Sequence, residues 1–183
     1  MNLTGTIKLE SPRLTLRRGT IEDAEEMFKN WASDDEVTKY LTWDSHKTIY
    51  DTIEILKMWD KQYGTSTFFQ WLIELKSEQI PIGAINLFSV NLKDESCEIG
   101  YCLSRKYWCR GYVSEACREI LNFAFNIVGF RVVYARHEIH NPASGRIMEK
   151  NGMKYFKTTE EFSKKLQSIL KTHYYIIRKE EFR

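Results

Sequence analysis

Tyr107-Trp108-Cys109-Arg110-Gly111-Tyr112-Val113-Ser114-Glu115-Ala116 joins two segments of different period. Before it, Cys97 to Leu103 reads as extended chain. After it, Val113, Ala116, Cys117, Ile120, Leu121, Ala124 and Phe125 fall at i, i+3, i+4, i+7, i+8, i+11 and i+12, one apolar helical face. A strand therefore feeds a short basic turn, and Gly111 opens the next helix. The first N–H groups of a helix lack intrahelical acceptors, and the macrodipole adds roughly half a positive charge there. With Arg110 beside it and glycine allowing close approach, such an end suits a pyrophosphate. The same residues also read as an ordinary strand-to-helix turn with a surface arginine.

Outward from this turn the chain alternates between helix and sheet periods. Leu14 and Leu16 alternate with Thr15 and Arg17 in a short first strand. Thr20-Ile21-Glu22-Asp23 is a capping-box-like helix entry, and Ala24, Met27, Phe28 and Trp31 share the face of the helix it opens. Ser33-Asp34-Asp35 interrupts it, and Val37, Tyr40 and Leu41 form a further turn of helix. A second helix runs from about Thr48 toward Gly64, with Ile49, Ile53, Leu56 and Trp59 inward. Three antiparallel strands follow, at Phe68 to Leu75, Ile80 to Val90 and Cys97 to Leu103. Gly83 and Gly100 inside them mark bulges or close approaches. Beyond the organising helix, Arg131 to Ile139 is a strand. Asn141-Pro142-Ala143-Ser144 starts a short helix, with Asn at the cap and Pro at its first position, and Asn151-Gly152 ends it. Met153 to Thr158 and His173 to Arg178 are the last strands. Phe162, Leu166, Ile169 and Leu170 between them have helical spacing, which predicts a helical insertion. The expectation is one α+β domain over residues 1–183, with no repeats or flexible linkers.

Composition narrows the function classes. The 183 residues are 43% hydrophobic, enough for one globular core. Net charge is 27 − 25 = +2 without a basic cluster, so no nucleic-acid face is expected. No apolar run approaches the roughly 20 residues of a membrane span, and no signal peptide is visible at Met1-Asn2-Leu3-Thr4-Gly5. Cys97, Cys102, Cys109 and Cys117 form no C-x-x-C pair, which argues against zinc and for a reducing cytoplasm. His137-Glu138-Ile139-His140 is one residue short of the H-E-x-x-H zinc motif, so no metal is expected.

In this order the elements resemble the GNAT superfamily of acetyl-CoA-dependent N-acetyltransferases. More narrowly, the chain is similar to the branch acting on the N-terminal alanine or serine of ribosomal proteins. The resemblance runs nearly end to end. It rests on Ser11 to Arg17, Asp35 to Trp43, Glu98-Ile99-Gly100-Tyr101, the Trp108 to Ala116 loop, Asn141 to Met153, and Tyr175 to Phe182. It implies a mixed, mostly antiparallel sheet of about seven strands flanked by helices, splayed between the Cys97–Leu103 and Arg131–Ile139 strands. The family's phosphate loop, Q/R-x-x-G-x-G/A, falls on Trp108 to Val113. Only Gly111 matches outright, and Val113 stands where the family has a small residue. The amides of Arg110, Gly111, Tyr112, Val113 and Ser114 would still hold the pyrophosphate, since a backbone nest needs no particular side chain. Tyr101, Leu103 and Asn141 would contact the rest of the cofactor, the pantetheine arm running along the strand edge as an added strand would.

The chemistry sets further expectations. An amine attacking a thioester must lose a proton, the carbonyl oxygen must be polarised, and the leaving thiolate can take a proton. Many family members place a tyrosine in the helix beyond the Asn141 cap; here that residue is Met148. In the branch that the chain resembles, a serine at the Ser144 position is thought to serve instead. Ser144 also reads as a helix-capping residue. Glu98 is the candidate base, on the face of Gly100 and Cys102 by strand alternation; a solvated carboxylate is the other reading, with a water chain as base. The backbone N–H near Leu103 would polarise the carbonyl. Direct transfer needs no acyl-enzyme, and Cys109 and Cys117 have no evident histidine partner. Tyr40, Trp43 and His46 lie between the first two helices, which in this family line the acceptor cleft; Tyr40 and Trp43 are candidate acceptor contacts, or plain packing. The leading reading is an N-acetyltransferase with acetyl-CoA as co-substrate and a protein N-terminus or small amine as acceptor. The competing one is an acyl-CoA-binding sensor without catalysis. Monomer and homodimer are both open.

Overall fold

Alternating apolar residues build the sheet of the protein, whose computed structural model describes residues 1–183. The strands are β1 (Leu9–Glu10), β2 (Leu14–Arg17), β3 (Phe69–Leu75), β4 (Ile80–Asn91), β5 (Ser96–Leu103), β6 (Val132–Glu138), β7 (Lys154–Ser163) and β8 (Ser168–Arg178). They form one sheet in the order β1-β2-β3-β4-β5-β6-β8-β7. Only β5 and β6 are parallel, and α4 (Tyr112–Asn122) lies in the crossover between them. Parallel neighbours require such a crossover, which is why the Tyr107 to Ala116 turn lies where it does.

The sheet has two differently covered faces. On one, Phe69, Trp71, Ile73, Ile99 and Leu103 pack with Val113, Ala116, Cys117, Ile120 and Leu121 of α4. A buried side chain of the leucine or isoleucine kind contributes about 1.5–3 kcal/mol. The helix continues as a wider turn over Phe123–Val128 and stops at Gly129, whose φ of +92° suits glycine. On the other face, Leu72 and Ala84 pack against Ala24, Met27, Trp31, Leu56 and Trp59. These come from α1 (Ala24–Met27), the π-helical turn Phe28–Ala32 and α3 (Ile49–Gln62). Thr20 with Asp23, and Thr48 with Asp51, form the capping boxes that start these segments. Between them α2 (Asp35–Thr38) is capped by Asp34, which accepts from the Glu36 N–H at 2.9 Å. No helix is long and apolar enough to cross a membrane.

The mixed, mostly antiparallel sheet is the expected one, and Leu9–Glu10 adds a two-residue edge strand to β2 that brings the strand count to eight. One expectation is corrected. The insertion between the last strands is not helical: β7 and β8 extend as a long hairpin, with Phe162 paired to Ile169 and Ser163 to Ser168. The helical spacing of Phe162, Leu166 and Ile169 arises because the chain folds back between them, with Gln167 at φ +50° in the turn. Threonines at 158, 159 and 172 favour the extended form that the hairpin adopts.

Candidate active site

The β5–β6 ladder is short. Ser96, Cys97 and Glu98 pair with Val132, Val133 and Tyr134, and the strands then part. On its other edge β5 stays paired to β4 as far as Leu103, and Ser104 donates to the Ile82 carbonyl at 2.8 Å. Hydrogen-bonding direction alternates along a strand, so Tyr101 and Leu103 turn their peptide groups toward the opening. The Leu103 carbonyl is taken there by the Trp108 indole N–H, at 2.7 Å. The Tyr101 peptide and the Leu103 N–H thus lie along the open edge.

The basic turn lies beyond the end of that edge. Cys109 and Gly111 both have positive φ, +61° and +80°, and Gly111 is the N-cap of α4 with no side-chain cap. The first intrahelical bond is Glu115 N–H to the Gly111 carbonyl at 3.0 Å. Helix geometry therefore leaves the amides of Tyr112, Val113 and Ser114 without intrahelical acceptors. A Cβ on Gly111 would meet only Arg13 Nη2, at 3.5 Å. A clamp fixes the turn: Glu115 accepts from Ser11 Oγ at 2.7 Å, the Arg13 N–H at 2.9 Å and Arg13 Nε at 2.6 Å. Arg13 also donates to the Arg110 carbonyl at 3.0 Å. Burial alone would raise the Glu115 pKa, but the Ser11 and Arg13 hydrogen bonds outweigh it and hold the carboxyl low. The Arg110 side chain is exposed beside Tyr107.

Across the opening, α5 (Pro142–Lys150) begins at the Asn141 cap, whose side chain accepts from the Ser144 N–H at 3.4 Å. Ser144 Oγ lies 2.9 Å from the Tyr101 hydroxyl, which also reaches the Ser144 carbonyl at 3.1 Å. This pair spans the splay from β5 to α5. Burial pushes the Tyr101 phenol well above its usual pKa, so it remains a proton carrier at neutral pH. Met148 is buried in the core.

Glu98 points to the opposite face from Tyr101, as alternation requires. Its side chain is 12% exposed, and Oε1 lies 2.8 Å from Arg136 Nε. Burial pushes its pKa up and the Arg136 charge opposes this, so Glu98 accepts a proton more readily than an exposed glutamate. Arg136 Nη1 reaches Glu161 at 2.9 Å and the Tyr174 hydroxyl at 3.0 Å. Asn86 and Phe88 lean over Gly100 next to it, where a Cβ would come within 2.9 Å of Asn86 Oδ1.

Tyr40 and Trp43 lie on the loop after α2; Tyr40 is exposed, and Trp43 packs beside His46 with ring centroids 5.5 Å apart. Both are close in sequence to Thr38, whose carbonyl, like that of Trp43, meets the tip of the β7–β8 hairpin. His137 turns into the α5 interface, and no group of three or more His, Cys, Asp or Glu side chains converges. Cys97 and Cys117 are buried, which raises their thiol pKa values and keeps them protonated. Arg136, Glu161 and Tyr174 were missed by sequence reasoning. Arg136 was visible in principle, since Tyr134, Arg136 and Glu138 alternate as a polar stripe in a strand.

The sequence and the fold are matched in known proteins. The Acetyltransferase (GNAT) domain family matches residues 13–154. The chain belongs to the GNAT acetyltransferases. An uncharacterized N-acetyltransferase of Bacillus subtilis, YoaA, is 31% identical over 144 residues, 79% of this chain and 81% of its own. The solved structure of a GNAT-family acetyltransferase from Bacillus anthracis is 28% identical, with a TM-score of 0.82 over 96% of this chain and all of its own. A ribosomal-protein alanine acetyltransferase from Vibrio fischeri, 13% identical, has a TM-score of 0.82 over 97% of this chain and 99% of its own, which shows the shared fold. As a GNAT protein the chain is an acyltransferase, and acetyl transfer is the general activity of its family.

Proposed function

We propose that this GNAT protein is an N-acetyltransferase in which an amine, of a small molecule or a polypeptide N-terminus, attacks acetyl-CoA directly. One observation carries the reading: the open β5 edge at Tyr101 and Leu103 leads to the unbonded amides of Tyr112, Val113 and Ser114. A pantetheine arm can add to the edge as a strand while the pyrophosphate takes the helix end. Gly111 and Arg110 complete that end, and Asn141 flanks the arm from the opposite side. Val113 is compatible with this, because its side chain is buried against the core and leaves its amide free.

The two candidate proton carriers lie on opposite faces of the sheet at the splay, which is the arrangement direct transfer needs. The amine nitrogen bonds to the acetyl carbon from the Glu98 side, and Glu98 takes the proton the nitrogen sheds. The Leu103 N–H supports the carbonyl oxygen as negative charge develops. The carbon–sulfur bond breaks, and the thiolate takes a proton from Ser144, which the Tyr101 hydroxyl resupplies. Tyr101 thereby fills the place left by Met148. Tyr40 and Trp43 flank the acceptor. Four unpaired cysteines accord with a cytoplasmic setting.

The test is release of free CoA thiol from acetyl-CoA in the presence of an amine panel, with Ser144→Ala and Glu98→Gln alongside the wild type. Both variants should bind acetyl-CoA as the wild type does and lose roughly 10²–10⁴ in turnover, the usual share of general acid–base catalysis. Acetyl-CoA binding without thiol release for any amine would favour the sensor reading.

A further inference from the structure

The β7–β8 hairpin carries a cation that the chemistry above does not use. Lys165, at its tip, is 14% exposed in its side chain. Its Nζ donates to the carbonyls of Thr38 at 2.7 Å and Trp43 at 3.1 Å, more than a hundred residues away in sequence, and lies 3.9 Å from Asp44. Lysine is rarely buried this far without a purpose-built set of acceptors. Further down the hairpin, Glu161 meets Arg136 at 2.9 Å and accepts from the Tyr174 hydroxyl at 2.6 Å and Thr159 Oγ1 at 2.7 Å. Arg136 in turn holds Glu98. These contacts join the loop after α2, the hairpin, β6 and β5 into a closed circuit around the Glu98 side of the splay. The circuit closes again at α2, where Asp34 accepts from Arg105, two residues past β5, at 2.6 Å.

We propose that Lys165 is a positioning residue that latches the hairpin across the acceptor side, restricting the acceptor to a free small-molecule amine. The inference rests on the acetyltransferase reading and deepens it. An acceptor must pass inside a ring of chain, and a terminus projecting from a folded protein surface would have to thread it in extended form while its body meets the strap. The ring's charges also choose the acceptor. Glu98 and Glu161 share one guanidinium, so two carboxylates face the single cation that touches them and attract a protonated amine.

Lys165→Met and Lys165→Arg test this, with tyramine and spermidine as free amines and a folded protein bearing N-terminal alanine as the third acceptor. In Lys165→Met, amide hydrogen exchange at residues 163–168 should rise at least about tenfold. KM for the free amines should rise about tenfold or more while KM for acetyl-CoA changes less than about twofold, with Lys165→Arg recovering part of the difference. The protein acceptor should be poor in the wild type and gain relative to the free amines when the latch is lost. Unchanged exchange at the tip would overturn the latch. Released exchange with unchanged amine KM would overturn its role in acceptance, and a protein acceptor as good as either amine would overturn the substrate class. Acetylation of none of the three while acetyl-CoA still raises the melting temperature would also overturn that class. Absence of any acetyl-CoA effect on stability would instead overturn the underlying acetyltransferase reading.

Discussion

Glu98 and Ser144 carry the chemical account, and each has a signature that can be measured. Burial raises the Glu98 pKa above the ordinary 4.5, with Arg136 recovering only part of the shift. A raised carboxyl contributes its stability fully below the ordinary value and loses it as pH rises through the folded value. The stability of the wild type relative to Glu98→Gln should therefore fall across that window; thermal unfolding of both proteins from about pH 4 to 8 measures it. A difference that grows with pH would mean that Arg136 outweighs burial. At the other face, Tyr101 keeps the Ser144 carbonyl as a partner when the serine hydroxyl is removed. Ser144→Ala should thus cost no more than about 1 kcal/mol of stability. If the pair acts as one relay, Tyr101→Phe and Ser144→Ala should each slow turnover, and the double variant should be scarcely slower than the worse single one. Additive losses in that cycle would separate the two residues. Alternation puts Glu98 in a strand and the Asn141-Pro142 cap puts Ser144 in the first turn of a helix, while the part given to Ser144 comes from the family resemblance. Sequence alone does not reveal the Tyr101–Ser144 bond, which joins residues 43 apart across an opening.

Helix α4 shows how far local signals reach. Its apolar stripe, its start at Gly111 and the strand before it are all legible, and all are where the period predicts. What fixes the turn is not local: Ser11 and Arg13, about a hundred residues earlier, converge on Glu115. Glu115→Ala should cost about 1.5–3 kcal/mol, the range of hydrogen bonds to a charged group, and should weaken acetyl-CoA binding as the turn loosens. Gly111→Ala separates strain from binding. The added Cβ meets only Arg13 Nη2, so the cost in stability should be close to about 1–2 kcal/mol for a left-handed alanine. Urea unfolding measures that loss, and calorimetry should find a larger penalty in acetyl-CoA affinity, because a methyl group then stands at the helix entrance. Equal affinity in the variant would remove the turn from the binding site.

For the whole molecule, the order of elements was readable because helix and strand periods alternate cleanly from Thr20 to Gly152. The error lay in the last hairpin, where four apolar residues at helical spacing come from two antiparallel strands and their turn. That error hid Glu161 and Lys165 as neighbours of Arg136 and the Trp43 loop, since long-range pairing leaves no short-range trace. The splay itself follows from topology: β6 leaves β5 after three paired residues, and its far edge is committed to β8 through Glu138. The account's central claim is that this splay and the α4 turn together form an acetyl-CoA site. Thermal unfolding with acetyl-CoA, with ATP as a matched polyanion, tests it most directly. At about a hundred times its Kd, acetyl-CoA should add roughly 2.7 kcal/mol, with ATP well short of that. No stabilisation by acetyl-CoA, or an equal effect of ATP, would contradict the claim.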